Sequence, residues 1–244
     1  VRNLTKKYSQ FVLDDISFAL EKGIITGFIG RNGAGKTTTI KSILALNNID
    51  SGSIKFWGKD LKDNSQEIRN RVGVVLGESC FYEELTISEM KNILAPAYTK
   101  WDDKVFHNYL DKFSLSKKQQ ISTLSKGMKM KVALSFALSH NADLLIMDEP
   151  TSGLDPLIRK HLMDELLEFM KQDSNRSIFI SSHITSDLDK ITDNLILIDN
   201  GKIIFNNSKK ELLDDYIIGK GDVKYMNLVD KFKFQKLIIS ENNF

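Results

Sequence analysis

Short apolar runs alternate along the chain with longer segments of helical periodicity, the pattern of a largely parallel sheet covered by helices, and so of an α/β fold. Leu13–Leu20 puts Ile16, Phe18 and Leu20 on one face of a half-buried strand, while Ile24–Ile29 is a more continuous apolar run that ends in glycine. Further strands are predicted at Ser53–Trp57, Val72–Leu76, Leu144–Met147 and Ile178–Ile180. Leu195–Ile198 and Lys202–Phe205 flank Asp199-Asn200-Gly201, a hairpin turn whose residues tolerate positive φ. From 78 to 135 the pattern is helical throughout. Thr86-Ile-Ser-Glu89 reads as a capping box, followed by helices at Asp102–Phe113 and Lys126–Ser139. Pro156–Lys171 is a helix with proline in its first turn and a stripe of Ile158, Leu162, Leu166 and Phe169. Ser208-Lys-Lys-Glu211 reads as a second capping box.

These boundaries divide the chain into a core at 1–77 and 136–218, an inserted helical block at 78–135, and a tail at 219–244. A length of 244 residues suffices for one sizeable α/β domain with a subdomain. The 34 basic and 32 acidic residues nearly cancel, so the chain lacks the charge footprint of a dedicated nucleic-acid binder. Its single cysteine, Cys80, excludes an intramolecular disulfide and suits a reducing cytoplasm. The apolar runs fall short of the roughly 18–20 residues that cross a bilayer. The opening segment has no apolar core like that of a secretory signal.

Gly30-Arg31-Asn32-Gly33-Ala34-Gly35-Lys36-Thr37 fits the phosphate-loop pattern G-x-x-x-x-G-K-[ST], with a strand before it and a helix carrying Thr39, Ile40, Ile43 and Leu44 after it. Glycines let the backbone curl so that N–H groups point at phosphate oxygens, and the helix N-terminus adds partial positive charge. Lys36 is expected at the β- and γ-phosphates and the Thr37 hydroxyl on Mg²⁺, with Thr38 beside it. Leu144–Met147 then runs into Asp148 and Glu149. A buried strand ending in two carboxylates places Asp148 to help hold Mg²⁺ and leaves Glu149 as a general base for the attacking water. Standing alone, an apolar run followed by Asp-Glu is usually a strand leaving the core. After a phosphate loop it reads as catalytic.

With these motifs in order, the sequence resembles an ATP-binding-cassette nucleotide-binding domain over residues 1 to about 216. Leu124-Ser125-Lys126-Gly127-Met128 resembles the family's LSGGQ signature, and Ser152-Gly153-Leu154-Asp155 its D-loop. His183 resembles the switch histidine, and Tyr8 matches the aromatic residue that stacks on adenine. The resemblance implies a P-loop NTPase (RecA-like) core, an antiparallel β portion near the N-terminus and an inserted α-helical subdomain. It implies ATP and Mg²⁺ as cofactors, with Lys36, Glu149 and His183 catalytic. Two such subunits, identical or different, would sandwich two ATP molecules head to tail, so that Ser125, Gly127 and Asp155 serve the partner's nucleotide. It also implies a membrane-spanning permease subunit, and a place on the cytoplasmic face of the cell membrane. The overall character resembles bacterial exporter subunits, which implies export, and some cassettes resembling multidrug or antibiotic exporters carry a similar Leu-Ser-Lys-Gly-Met in place of the usual signature.

Two departures stand out. Lys126 and Met128 replace the usual glycine and glutamine of the signature, and Gly77 falls where the metal-contacting glutamine is expected, with Glu78 as a substitute ligand. Phe81-Tyr82-Glu83-Glu84-Leu85 lies where the family docks its membrane partner, although a subdomain hinge has the same composition. Lys231–Lys236 reads as a short amphipathic strand with solvated lysines, or as a basic-aromatic binding strip. His107, His140 and His161 have no ligand spacing and read as structural or surface residues. Two other classes remain open at this point: a mechanochemical cassette acting on DNA or ribosomes, and a nucleotide-gated module with little hydrolysis. The near-neutral charge weighs against the first, and the set of Lys36, Asp148, Glu149 and His183 against the second.

Overall fold

The computed structural model describes residues 1–77 and 81–215, so the expectations for Glu78, Cys80, the tail from 219 and Lys231–Lys236 lie outside the described residues. Residues 1–209 form one compact unit, and the described residues after it, to 215, are helical.

Strands buried on both faces are apolar at nearly every position. This describes β7 (Val72–Leu76) and β8 (Leu144–Asp148), while β3 (Ile25–Ile29), β9 (Ser177–Ser182) and β10 (Asn194–Asp199) include polar residues among their apolar ones, and β11 (Lys202–Ser208) lies at one edge. They make a six-stranded sheet in the order β11-β10-β3-β9-β8-β7, parallel except for the β10–β11 hairpin. The hairpin turns where expected, with Asn200 at φ 46° and Gly201 at φ 73°. A second, antiparallel sheet pairs β1 (Arg2–Lys7) with β2 (Val12–Ile16) on one side and β4 (Ser51–Ser53) on the other.

Two expected strands come out differently. β2 stops at Ile16: the register with β1 shifts there and Asp15 takes φ 54°, a bulge that ends the alternation before Phe18. The stretch 53–57 does not form one strand. It divides between β4 and β5 (Lys55–Phe56), and Trp57 at φ 49° with Gly58 at φ 82° turns the chain into β6 (Lys59–Asp60).

The helices are α1 (Lys36–Ile43), α2 (Ser65–Arg69), α3 (Ile87–Leu94), α4 (Asp103–Lys112), α5 (Lys126–Leu138), α6 (Pro156–Gln172), α7 (Thr185–Leu188) and α8 (Lys209–Asp215). The capping box opens α3 as predicted: Glu89 N–H donates to Thr86 Oγ1 at 3.2 Å, and Thr86 N–H to Glu89 Oε2 at 2.8 Å.

Three apolar clusters hold unit 1 together. The first joins the two sheets through Leu4, Leu13, Ile16 and Phe18 against Phe28, Phe179 and Ile196, with Phe28 and Phe179 ring centres 5.3 Å apart. The second packs α5 and α6 on the far face of the large sheet, where Leu134, Leu162, Leu166 and Phe169 meet Val75, Leu145, Met147 and Ile180. The third belongs to the helical block: Ile87, Met90, Phe106, Leu110, Ile121 and Leu124. Helix α5 supplies Met130, Leu134, Ala137 and Leu138 to the second cluster and Val132 and Phe136 to the third. A division between 135 and 136 therefore falls inside one continuous helix.

Candidate functional site

Parallel pairing brings the carboxyl ends of β3, β7, β8 and β9 to one edge of the sheet, where an α/β fold places its ligands. β3 ends at Ile29, residues 30–35 form the loop, and α1 begins at Lys36. The loop needs its glycines. A Cβ on Gly30 would lie 2.5 Å from Ile198 O, and one on Gly35, at φ 115°, would lie 2.6 Å from Leu13 Cδ2 and 2.9 Å from Phe11 Cζ. Gly33 is also left-handed, at φ 81°. Ala34 N–H donates to Arg31 O at 3.1 Å, and Gly201 N–H donates to Ala34 O at 3.0 Å, tying the loop to the β10–β11 hairpin. Arg31, Asn32, Gly33 and Thr37 face solution, and Thr38 is half-buried.

The Lys36 side chain is 5% exposed. It donates to Gly30 O at 2.7 Å and Arg31 O at 3.1 Å, and pairs with Glu149 Oε1 at 3.0 Å. The other Glu149 oxygen lies 2.7 Å from His183 Nδ1. Lys36, Glu149 and His183, far apart in sequence, thus form one contact chain. Glu149 itself sits at φ 49°, just past the end of β8. Asp148, the last residue of β8, is buried, and its Oδ1 accepts from Ser181 Oγ at 2.6 Å. The same Ser181 oxygen accepts Glu149 N–H at 2.9 Å. Sequence reasoning passes over Ser181. Its one local sign is a pair of serines closing an apolar strand two residues before His183.

Ser125, Gly127 and Asp155 form a second group at the starts of α5 and α6. Ser125 Oγ caps α5 by accepting Met128 N–H at 3.3 Å, and Asp155 Oδ1 caps α6 by accepting Leu157 and Ile158 N–H, each at 3.0 Å. Gly127 admits α6 closely, since a Cβ there would lie 2.7 Å from Ile158 Cδ1. The Lys126 side chain covers Gly153, with Nζ 2.9 Å from where a Cβ would stand. Tyr8 lies on the β1–β2 loop, 46% exposed, with its N–H donating to Phe11 O at 2.8 Å. Phe11, a second residue that sequence reasoning omits, packs against Gly35 beside Leu13.

Gly77 follows the end of β7, where a Cβ would lie 2.8 Å from Asp148 O and 3.3 Å from Glu149 O. The backbone comes too near for a glutamine at this position. In the Phe81–Leu85 segment, the Phe81 ring lies tilted against Phe136 with centres 5.7 Å apart, Tyr82 is 63% exposed and Glu83 forms an ion pair with Lys129. Among the described residues, no helix is long and apolar enough to cross a membrane, and no group of three or more His, Cys, Asp or Glu side chains is placed to hold a metal.

A family model described as ABC transporter matches residues 13–152. The bacitracin transport ATP-binding protein BcrA of Bacillus licheniformis is 34% identical over 99% of this chain and 78% of its own length. The Nod factor export ATP-binding protein I of Ralstonia nicotianae is 34% identical over 87% of this chain and 68% of its own. A solved ATP-binding subunit of an ABC transporter superposes with a TM-score of 0.78 over 88% of this chain and 91% of its own, at 28% identity.

Proposed function

The chain belongs to the ABC transporter family as an ATP-binding, ATP-hydrolysing subunit, and from that premise we propose that Lys36, Glu149 and His183 carry out the hydrolysis, which drives export through a separate membrane-spanning subunit. The observation that carries this reading is the contact chain from Lys36 Nζ through both Glu149 oxygens to His183 Nδ1.

The loop from Gly30 through Arg31, Asn32, Gly33, Ala34 and Gly35 offers its N–H groups to the phosphates, together with Lys36, Thr37 and Thr38 at the helix start. Lys36 meets the β- and γ-phosphates, and those oxygens compete with Glu149 for its ammonium. Freed of that ion pair, Glu149 takes a proton from the water that attacks the γ-phosphorus, while the bond from that phosphorus to the ADP oxygen breaks. His183 holds the other carboxylate oxygen and keeps the base aimed. The donor set also suits Mg²⁺: Thr37 and Asp148 offer oxygen alone, and the partner of the buried Asp148 carboxylate is the neutral Ser181 hydroxyl. When bound there, Mg²⁺ neutralises phosphate charge. Tyr8 provides the platform for the adenine base.

Ser125, Gly127 and Asp155 face a second ABC subunit and complete that subunit's site. The membrane-spanning partner docks at the Phe81–Leu85 segment on the cytoplasmic face of the cell membrane, with Tyr82 as the exposed contact. Export is favoured over import because relatives of this chain are named for bacitracin transport and Nod factor export.

The solution mass of the Glu149→Gln variant, measured with and without Mg-ATP, tests this. The variant keeps ATP binding and loses the base, so the mass should double with Mg-ATP and return to the monomer value with ADP. An ATP-bound monomer would show that the chain does not pair with itself, and a failure to bind ATP would remove the assignment of the site.

A further inference from the structure

Helix α1 carries Lys36 at its first position, and the residues past its other end turn back onto Tyr8. Ala45 takes a left-handed φ of 55°, and the N–H groups of Leu46 and Asn47 both donate to Lys41 O, at 2.8 and 3.3 Å. This helix-ending turn leaves Asn47 half-buried, and its Nδ2 donates to the Tyr8 hydroxyl at 3.3 Å. The ring has further restraints. Lys6 Nζ lies 5.4 Å from the ring centre and is itself paired with Asp50 at 3.6 Å. At the near end of the same loop, Phe11 accepts the Tyr8 N–H and seats its ring against Gly35.

A half-exposed tyrosine on a short loop ordinarily spreads over several rotamers. Any time spent out of place reduces the affinity of whatever stacks on it. Resting on the reading of Tyr8 as the base platform, we propose that Asn47 is a positioning residue for the nucleotide base. Its amide holds the phenol oxygen, so that the ring is set before ATP arrives, while Phe11 registers the same loop on the phosphate loop. Asn47 acts through Tyr8 and does not touch the nucleotide. A surface hydrogen bond without this role would add slightly to stability and leave ATP no different from a bare triphosphate.

Calorimetric titration with ATP, and in parallel with inorganic tripolyphosphate, separates the two. Tyr8→Phe removes the tether and keeps the ring; Asn47→Ala removes the other partner. Each should weaken ATP about threefold, the size of one neutral hydrogen bond, and leave tripolyphosphate unchanged. The double variant should bind ATP no more weakly than either single one, because both remove the same contact. If Tyr8→Ala weakens ATP while Tyr8→Phe and Asn47→Ala do not, the tether is wrong and the platform stands. If Tyr8→Ala leaves ATP binding intact, the platform reading fails and takes the tether with it. Equal losses for ATP and tripolyphosphate would also overturn the proposal, by locating the effect in the phosphate loop.

Discussion

The hydroxyl of Ser181 holds two carboxylate residues at once. It donates to Asp148 Oδ1 at 2.6 Å and accepts the Glu149 N–H at 2.9 Å. Glu149 depends on that second bond because its φ of 49° is one that side-chain-bearing residues seldom adopt, and a strained backbone persists only where its surroundings fix it. Removing the hydroxyl leaves a buried carboxylate oxygen without its donor and lets the backbone at Glu149 relax. Ser181→Ala should therefore lower Mg²⁺-dependent phosphate release by about 10- to 100-fold, the range for groups that orient a metal ligand, and raise the Mg²⁺ concentration at half-maximal rate. Ser181→Thr keeps the hydroxyl and should retain most of the rate. An alanine variant with wild-type Mg²⁺ dependence would make Ser181 a packing residue only.

Among the elements, the meeting of β7 and β8 decides what the glycine at 77 is for. The register places Leu76 beside Asp148, so the residue just past β7 comes near the Asp148 and Glu149 carbonyls, and a Cβ at 77 would lie 2.8 Å from Asp148 O. Installing the glutamine that the family pattern suggests does not add a ligand; it pushes the new Cβ against the Asp148 carbonyl. Gly77→Gln should destabilise the fold by about 1–3 kcal/mol, a fall of roughly 2–4 °C in Tm per kcal/mol, without lowering the Mg²⁺ requirement. A variant that is stable and hydrolyses faster at low Mg²⁺ would reverse this reading. The sequence could not disclose the contact, because it crosses from one strand to another. Strands buried largely on both faces are legible even at the sheet edge: Val72–Leu76 matches β7, and Leu144–Met147 is β8 less its last residue. β1 is hidden because it is mostly polar, with Leu4 its fully buried residue, and the run at 53–57 misleads because it breaks at Ile54 between β4 and β5 and turns at Trp57, φ 49°. The phosphate loop is legible because its chemistry is local. Ser181 and Phe11 are not, since their roles depend on which strands become neighbours.

Across the whole molecule, α5 ties the helical block to the sheet, and His140 lies where that helix gives out. The ring is fully buried and stacked on Tyr98 with centres 4.0 Å apart. Nδ1 lies 3.3 Å from Phe136 O on α5, and Nε2 lies 3.3 Å from Val72 O on β7. A neutral imidazole donates through one nitrogen, so a proton added to the other would satisfy both carbonyls. Burial opposes that more strongly, and it holds the His140 pKa below its ordinary 6.5 despite the two carbonyls. The unfolded chain therefore takes up the proton first as pH falls. Stability from this group is complete above about 6.5, declines as pH drops from there toward the lower folded value, and levels off beneath it. The slope for one proton is at most about 1.4 kcal/mol per pH unit. The lowered carboxyls of Asp50, Glu89 and Asp173 act in a separate, more acidic window, since their ordinary values are 3.8 to 4.5. Urea unfolding at pH 7.5 and at pH 5.5 should then show a loss of stability that His140→Gln lacks, even if that variant is less stable at both. Parallel losses in the two proteins would place the titration elsewhere in the fold.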